Sequence, residues 1–237
     1  MGRARPTLER ALNDPVRNSQ LMMNDRKYVV FDFDGTIADT LELAFIIYNR
    51  IAPEYNLKNF SMEEVEVLRS RKPQEFLKSF GLSHLRLMAL LLRIQKELHH
   101  HIAETGLAKG MGAALENLRN AGYSLGVLTS NSRDNVMKFL DHKSLSDIMD
   151  FIYSGKSIFG KDKVITRMLG QEKIERKQIV YVGDETRDIE ACRKAGIRVI
   201  AVSWGLNSRD LLTSLHPDFL ADDPDELLPF VQQVFTQ

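Results

Sequence analysis

The sequence predicts an α/β fold, a doubly wound parallel sheet interrupted by an inserted α-helical unit, and three observations predict it. Six short runs, Tyr28–Phe31, Tyr123–Leu128, Phe151–Ser154, Gln178–Val182, Arg198–Val202 and Phe219–Ala221, carry mostly Val, Ile, Leu and aromatic residues. The longer ones are nearly continuous in apolar character rather than alternating, as strands covered on both faces must be. Helical-period segments separate the later runs, the strand–helix–strand order that builds a parallel sheet. Between Thr40 and Gly106 there is no strand candidate at all, only helical spacing.

Each element has its own signals. The first run ends in Asp32-Phe33-Asp34-Gly35-Thr36, where the glycine marks a sharp turn. Asp39-Thr40 offers N-cap chemistry to a helix over Leu41–Ile51, which Pro53 stops. Ser61 and Glu64 read as a capping box, and Val65, Leu68, Phe76, Leu77, Phe80, Leu87, Leu91, Ile94 and Leu98 continue at helical spacing, broken at Gly81-Leu82-Ser83. Further helices are expected over Met111–Ala121 (closed by Gly122), Arg133–Leu140, Asp162–Leu169, Thr186–Ala195 (closed by Gly196) and Asp225–Val234. The expected division is a flexible N-terminal extension over 1–24, a core from 25–40 and 108–237, and a helical unit over 41–107.

Composition narrows the class. With 237 residues, 43% hydrophobic and 27% charged, the chain is expected to be an ordinary soluble globular protein. Lys+Arg and Asp+Glu both number 32, so no net charge favours nucleic acid or an anionic membrane. The single cysteine, Cys192, excludes an internal disulfide framework and a cysteine zinc site, which points to a reducing, cytoplasmic setting. The longest apolar cluster, Leu85–Leu92, contains Arg86 and falls well short of the roughly 20 residues of a membrane span. The expected quaternary state is a monomer or homodimer. His99-His100-His101 cannot chelate one ion from one helix face, because adjacent helical residues point in different directions.

The chemistry gathers at strand ends. Asp32 and Asp34 are two apart and share a face at the carboxyl end of a buried strand. Thr129 and Ser130 end the second strand, Lys161 follows the third, and Asp184 with Asp188 follows the fourth. In an open α/β sheet those ends converge on one crevice. Clustered acids call for a hard divalent cation such as Mg²⁺, and a lysine and hydroxyl beside them suit phosphoryl oxygens.

Taken in order, these segments make the chain resemble the haloacid dehalogenase-like hydrolase superfamily, and within it the helical-capped phosphatases of the phosphoglycolate phosphatase kind. The four motifs stand as Asp32-Phe33-Asp34-Gly35-Thr36, Gly126-Val127-Leu128-Thr129, Phe159-Gly160-Lys161 and Gly183-Asp184-Glu185-Thr186-Arg187-Asp188. Lys109-Gly110-Met111 and Val202-Ser203-Trp204-Gly205 match the family's framework as well. The resemblance implies a Rossmann-like core and a cap over 41–107. It implies a Mg²⁺-dependent phosphatase of a small phosphorylated metabolite such as phosphoglycolate.

In that reading Asp32 is the nucleophile, forming an aspartyl-phosphate, and Asp34 the general acid and base. Mg²⁺ would sit on Asp32, Asp184 and the Asp34 carbonyl, with Asp188 acting through water. Thr129 and Lys161 would bind the phosphoryl group, with Ser130 able to share it. The residues after Lys161 depart from the family's usual proline, being Asp162 and Lys163, so Lys163 stays a rival. The second acid argues against a dehalogenase, because an alkoxide leaving group needs a proton and a halide does not. Arg71 and Lys72, in Ser70-Arg71-Lys72-Pro73, lie where related caps reach the site, and are either substrate contacts or a solvated turn. A phosphosugar mutase and a phosphonate hydrolase with a Schiff-base lysine (Lys58, Lys72 or Lys96) are the alternatives on this scaffold.

Overall fold

A computed structural model describes residues 26–71, 78, 80–102, 104–155 and 160–236. The expected extension over 1–24, Lys72, Phe76, Leu77 and Phe159 lie outside the described residues. Among the described residues six strands, β1 (Tyr28–Phe31), β2 (Ser124–Thr129), β3 (Met149–Ser154), β4 (Ile179–Gly183), β5 (Arg198–Val202) and β6 (Phe219–Ala221), form one sheet in the order β3-β2-β1-β4-β5-β6. Every pairing is parallel. The chain runs outward through β1, β2 and β3, then returns to the other side of β1 with β4. That reversal opens a crevice between β1 and β4 at their carboxyl ends.

Strand alternation sorts the core into two layers. Val29 and Phe31 point to one face with Leu125, Val127, Val180, Val182, Ile200 and Val202. That face is covered by α4 (Met111–Asn120), α5 (Arg133–His142) and α9 (Leu227–Thr236), through Leu115, Phe139 and Val231 among others. Val30, Leu128 and Tyr181 point to the other face, under α6 (Lys161–Glu172) and α7 (Thr186–Ala195), through Ile165, Met168, Ile189 and Cys192. Cys192 is fully buried as a small apolar residue.

Between β1 and β2 lie α1 (Leu41–Ile51), α2 (Met62–Arg69) and α3 (His84–His101). α1, the turn after it and α3 bury a cluster of their own: Ile47, Tyr48, Ile51, Ala52 and Leu90. The capping box of α2 forms as read, with Glu64 N–H donating to Ser61 Oγ (3.2 Å) and Ser61 N–H to Glu64 Oε2 (2.9 Å). Thr40 differs from expectation. It stands at the start of α1 without a side-chain cap bond. Its Oγ1 instead accepts from Gly35 N–H at 3.1 Å, closing the turn after the first motif. A short helix, α8 (Arg209–Thr213), was not anticipated; Ser208 caps it, accepting from Leu211 N–H (3.4 Å). Among the described residues no helix is long and apolar enough to cross a membrane.

Candidate active site

β1 stops pairing one residue past its last rung, where Asp32 N–H donates to Val182 O at 2.8 Å. Phe31 is level with Val182 of β4, so Asp32 and Asp184 emerge side by side at the crevice. Asp32, Asp184 and Asp188 each offer a carboxylate oxygen, and the three oxygens lie within 4.8 Å of one another. All three residues are buried, at 3%, 0% and 0% exposure. Buried carboxylates are costly unless a cation compensates them.

Part of that compensation is Lys161. Gly160, with φ +96°, turns the chain into α6 so that Lys161 is its first residue, one earlier than the sequence pattern indicated. Lys161 Nζ donates to Asp32 Oδ2 at 2.6 Å and also to Asp188 Oδ1. Burial alone would depress the ammonium, but the two carboxylates outweigh it and hold Lys161 above the usual lysine range. Lys163, two residues on, is exposed on α6. The lysine at the acids is Lys161.

Asp184 is gripped from two sides. Thr36 Oγ1 donates to its Oδ1 at 2.8 Å and Leu206 N–H to its Oδ2 at 2.6 Å. A side chain at Gly35 (φ +76°) or at Gly205 would overlap the Asp184 carboxylate, so both glycines exist to let that acid in. Burial, followed by the charges of Glu185, Asp32 and Asp188, pushes the Asp184 carboxyl well up from its ordinary value. Asp188 carries a second duty, accepting Glu185 N–H (3.1 Å) in the capping box that starts α7.

Asp34 lies on the same turn, half-buried. Burial, then the charge of Asp32, raises its carboxyl to about 6, against the lowering effect of a hydrogen bond from Asn131. Asn131 Nδ2 donates to both Asp34 oxygens, at 3.2 and 3.0 Å. Its Oδ1 accepts from Ser132 N–H and Asn135 Nδ2, each at 2.8 Å, which fixes the amide's orientation. No role for Asn131 was read from the sequence. Its place in Thr129-Ser130-Asn131, just past a strand end, was the available signal.

Thr129 is 1% exposed, and its Oγ1 accepts from Asn131 N–H at 3.0 Å. The cap of α5 is Ser132, accepting from Asn135 N–H at 3.2 Å, so Thr129 is free of that duty. Thr129 and Ser130 line a small cavity with Gly155, Lys161, Val164 and Arg187. Arg187 is another residue without an assigned role in the sequence reading. Its Nη2 donates to Glu185 Oε1, while its Nε is buried with no hydrogen-bond partner among the described residues.

Of the residues named on the insertion, Lys72 lies outside the described residues. Arg71 is exposed and lines a groove within the insertion with Tyr48, Lys58, Phe60 and Phe80. Lys58 pairs with Glu64 at 2.6 Å on the surface, and Lys96 is exposed, settings without the burial that activates a Schiff-base lysine. The insertion also meets the core through Arg69, which donates to the carbonyls of Gly205 (3.1 Å) and Ser203 (2.8 Å) in the loop after β5.

A six-stranded parallel sheet with a lysine-bridged acid cluster at its switch point and helices inserted after β1 defines a doubly wound, Rossmann-like core with an acidic site at its carboxyl edge. Comparison with known proteins agrees. The family model described as haloacid dehalogenase-like hydrolase matches residues 29–202, and the chain belongs to that family. A phosphoglycolate phosphatase of Synechococcus elongatus is 34% identical over 209 residues, covering 88% of this chain and 99% of its own. The pyrophosphatase PpaX of Bacillus mycoides is 23% identical over 209 residues, covering 87% and 97%. A haloacid dehalogenase-like hydrolase of Streptococcus pneumoniae superposes with a TM-score of 0.71 at 21% identity, covering 87% and 99%, which shows the shared fold.

Proposed function

We propose that this protein is a Mg²⁺-dependent phosphatase that hydrolyses a small, phosphoglycolate-like monoester through an aspartyl-phosphate. The observation that carries the reading is Asp34. It is a second acid beside the buried Asp32, raised to about 6 and oriented by the Asn131 amide. An alcohol leaving group needs a proton-carrying acid there.

In the first half-reaction an Asp32 carboxylate oxygen attacks phosphorus, the bond from phosphorus to the ester oxygen breaks, and Asp34 gives that oxygen its proton. In the second, the Asp34 carboxylate takes a proton from water as the water oxygen attacks phosphorus. The acyl-phosphate bond breaks, inorganic phosphate leaves and Asp32 is restored. Lys161 keeps the Asp32 carboxylate oriented and offers a cation to the transferred group. Thr129 and Ser130 supply hydroxyl donors on the same wall, with the Arg187 side chain beside them.

The donor set fits Mg²⁺: hard carboxylate oxygens of Asp32, Asp184 and Asp188 clustered within 4.8 Å, without sulfur or imidazole. Asp32, Asp184 and the Asp34 carbonyl would hold it directly and Asp188 through water. Bound there, the cation would neutralise charge on the phosphoryl oxygens. The helices between residues 41 and 107 act as the cap that excludes water and selects substrate. The Synechococcus relative supports the substrate class.

Phosphate release from 2-phosphoglycolate, pyrophosphate and p-nitrophenyl phosphate, with Mg²⁺ or with EDTA, tests the reading. Metal-dependent release with the highest kcat/KM on phosphoglycolate is expected. Preference for pyrophosphate would move the substrate to the diphosphate class, and no release from folded protein in Mg²⁺ would remove the phosphatase assignment.

A further inference from the structure

Arg69 is the last residue of α2, and its side chain is only 15% exposed. Its guanidinium fork is fully engaged. Nε and Nη2 donate to Gly205 O (3.1 Å) and Ser203 O (2.8 Å), while Nη1 folds back to both oxygens of Glu66 at 2.9 Å. The contact also runs the other way. The Arg69 carbonyl accepts Ser208 N–H at 2.9 Å and Asn207 Nδ2 at 3.4 Å.

The loop that Arg69 grips is the one that holds Asp184. Leu206 N–H donates to Asp184 Oδ2 (2.6 Å) and Asn207 N–H to the Asp184 carbonyl (3.2 Å). Asn207 Oδ1 accepts Thr186 N–H at 2.9 Å, tying the loop to the first turn of α7. Trp204 Nε1 donates to Thr36 O at 3.1 Å, and the Thr36 hydroxyl holds the other Asp184 oxygen at 2.8 Å. Gly205, against which Asp184 packs with no room for a Cβ, supplies one of the two carbonyls that Arg69 reads. One edge of residues 203–208 therefore faces the insertion and the other faces the acid cluster.

We propose that Arg69 is a positioning residue that couples the seating of the helical insertion to the placement of the Asp184 carboxylate, so that a divalent cation and a seated insertion favour one another. The proposal rests on the metal-dependent reading above. Linkage makes the effect reciprocal: whatever the insertion contributes to cation affinity, the cation returns to the seating of the insertion. A planar fork suits two carbonyls on one loop, and a lysine, with one compact ammonium, does not reproduce it. Arg69 touches neither the acids nor the phosphoryl cavity, so its action is indirect.

The test uses the whole chain without substrate and Mn²⁺ as the probe, with free Mn²⁺ read by electron paramagnetic resonance. Arg69→Gln, which keeps the stem and loses the fork, is expected to bind Mn²⁺ about five- to tenfold more weakly, within the usual range of coupling between sites. Arg69→Lys should fall between, and carries the same comparison if the Gln protein does not fold. Hydrogen exchange supplies a second readout that a merely structural arginine would not move. Mn²⁺ should slow exchange over Met62–Arg69 in the wild type and leave it unchanged in Arg69→Gln. Equal Mn²⁺ affinity and equal protection in folded variants would overturn the coupling while leaving the phosphatase reading intact. A wild-type protein that binds no Mn²⁺ would remove both.

Discussion

Asp34 is set by what surrounds it more than by its own identity. An exposed aspartate keeps its proton only in acid, whereas burial and the neighbouring Asp32 charge raise this one to about 6, so that a fraction stays protonated near neutral pH, while Asn131 works in the opposite direction. Removing the Asn131 amide therefore moves the Asp34 carboxyl further up. Asn131→Ala is expected to shift the alkaline limb of the kcat/KM profile to higher pH and to lower the maximum, because the acid is no longer held in place. A profile that superposes on the wild type would show that Asn131 does not tune Asp34. Replacing Asp34 by Asn should depend on the leaving group. General acid assistance is worth about 10²–10⁴, so loss on an alkyl monoester should exceed loss on p-nitrophenyl phosphate, whose leaving group departs without a proton. Asp32→Asn should abolish turnover on both esters while far-ultraviolet circular dichroism stays unchanged. Appreciable turnover there would show that the nucleophile lies elsewhere.

The loop after β5 shows how one element serves several parts of the molecule. Its Gly205 has no space for a side chain, since a Cβ would overlap both the Cβ and the carboxylate of Asp184. Overpacking of this kind costs about 1–3 kcal/mol. Gly205→Ala should therefore lower the melting temperature by several degrees and weaken Mn²⁺ binding at least tenfold, measured by thermal unfolding and Mn²⁺ titration. An alanine variant with wild-type values would mean that the loop gives way freely. Elements like this one mark the limit of what the chain reveals by inspection. The strands were legible because burial on both faces leaves unbroken Val, Ile and Leu, as in Val180-Tyr181-Val182, and the acids because they sit at the ends of those runs. Arg69 was not legible. Its partners Ser203 and Gly205 lie 134 and 136 residues away, and helical spacing says nothing about where the end of α2 lands. Thr40 was misread for a related reason: local chemistry offered a helix cap, and the tight turn after Gly35 took the hydroxyl instead. Asn131 stood in plain view, but its task depends on Asp34, 97 residues away.

Across the whole chain the charges balance, 32 against 32, yet the carboxyl edge of the sheet concentrates acids far beyond that balance. Burial and mutual repulsion raise Asp34 and Asp184. A carboxyl whose folded value is raised favours the folded state while it keeps its proton. That contribution is present below the unfolded value near 4 and is lost as pH rises through the folded value, which for Asp34 is about 6. The metal-free protein should therefore lose stability as Asp34 ionises between about pH 4 and 6, and a divalent cation held by Asp32 and Asp184 should add stability of its own. At a Mg²⁺ concentration about 100 times its dissociation constant the gain is about 2.7 kcal/mol. For a chain of this size that corresponds to about 5–10 °C in melting temperature. The gain should be larger at pH 7.5 than at pH 5, because Asp184, its carboxyl raised by burial, must give up a proton to hold the cation. Thermal unfolding with Mg²⁺ or with NaCl of equal ionic strength at both values measures it, and Asp184→Asn should abolish the increment at pH 7.5. An increment that is equal at both pH values, or that survives in Asp184→Asn, would place the cation away from this edge and leave the buried acids compensated by Lys161 and Arg187 alone.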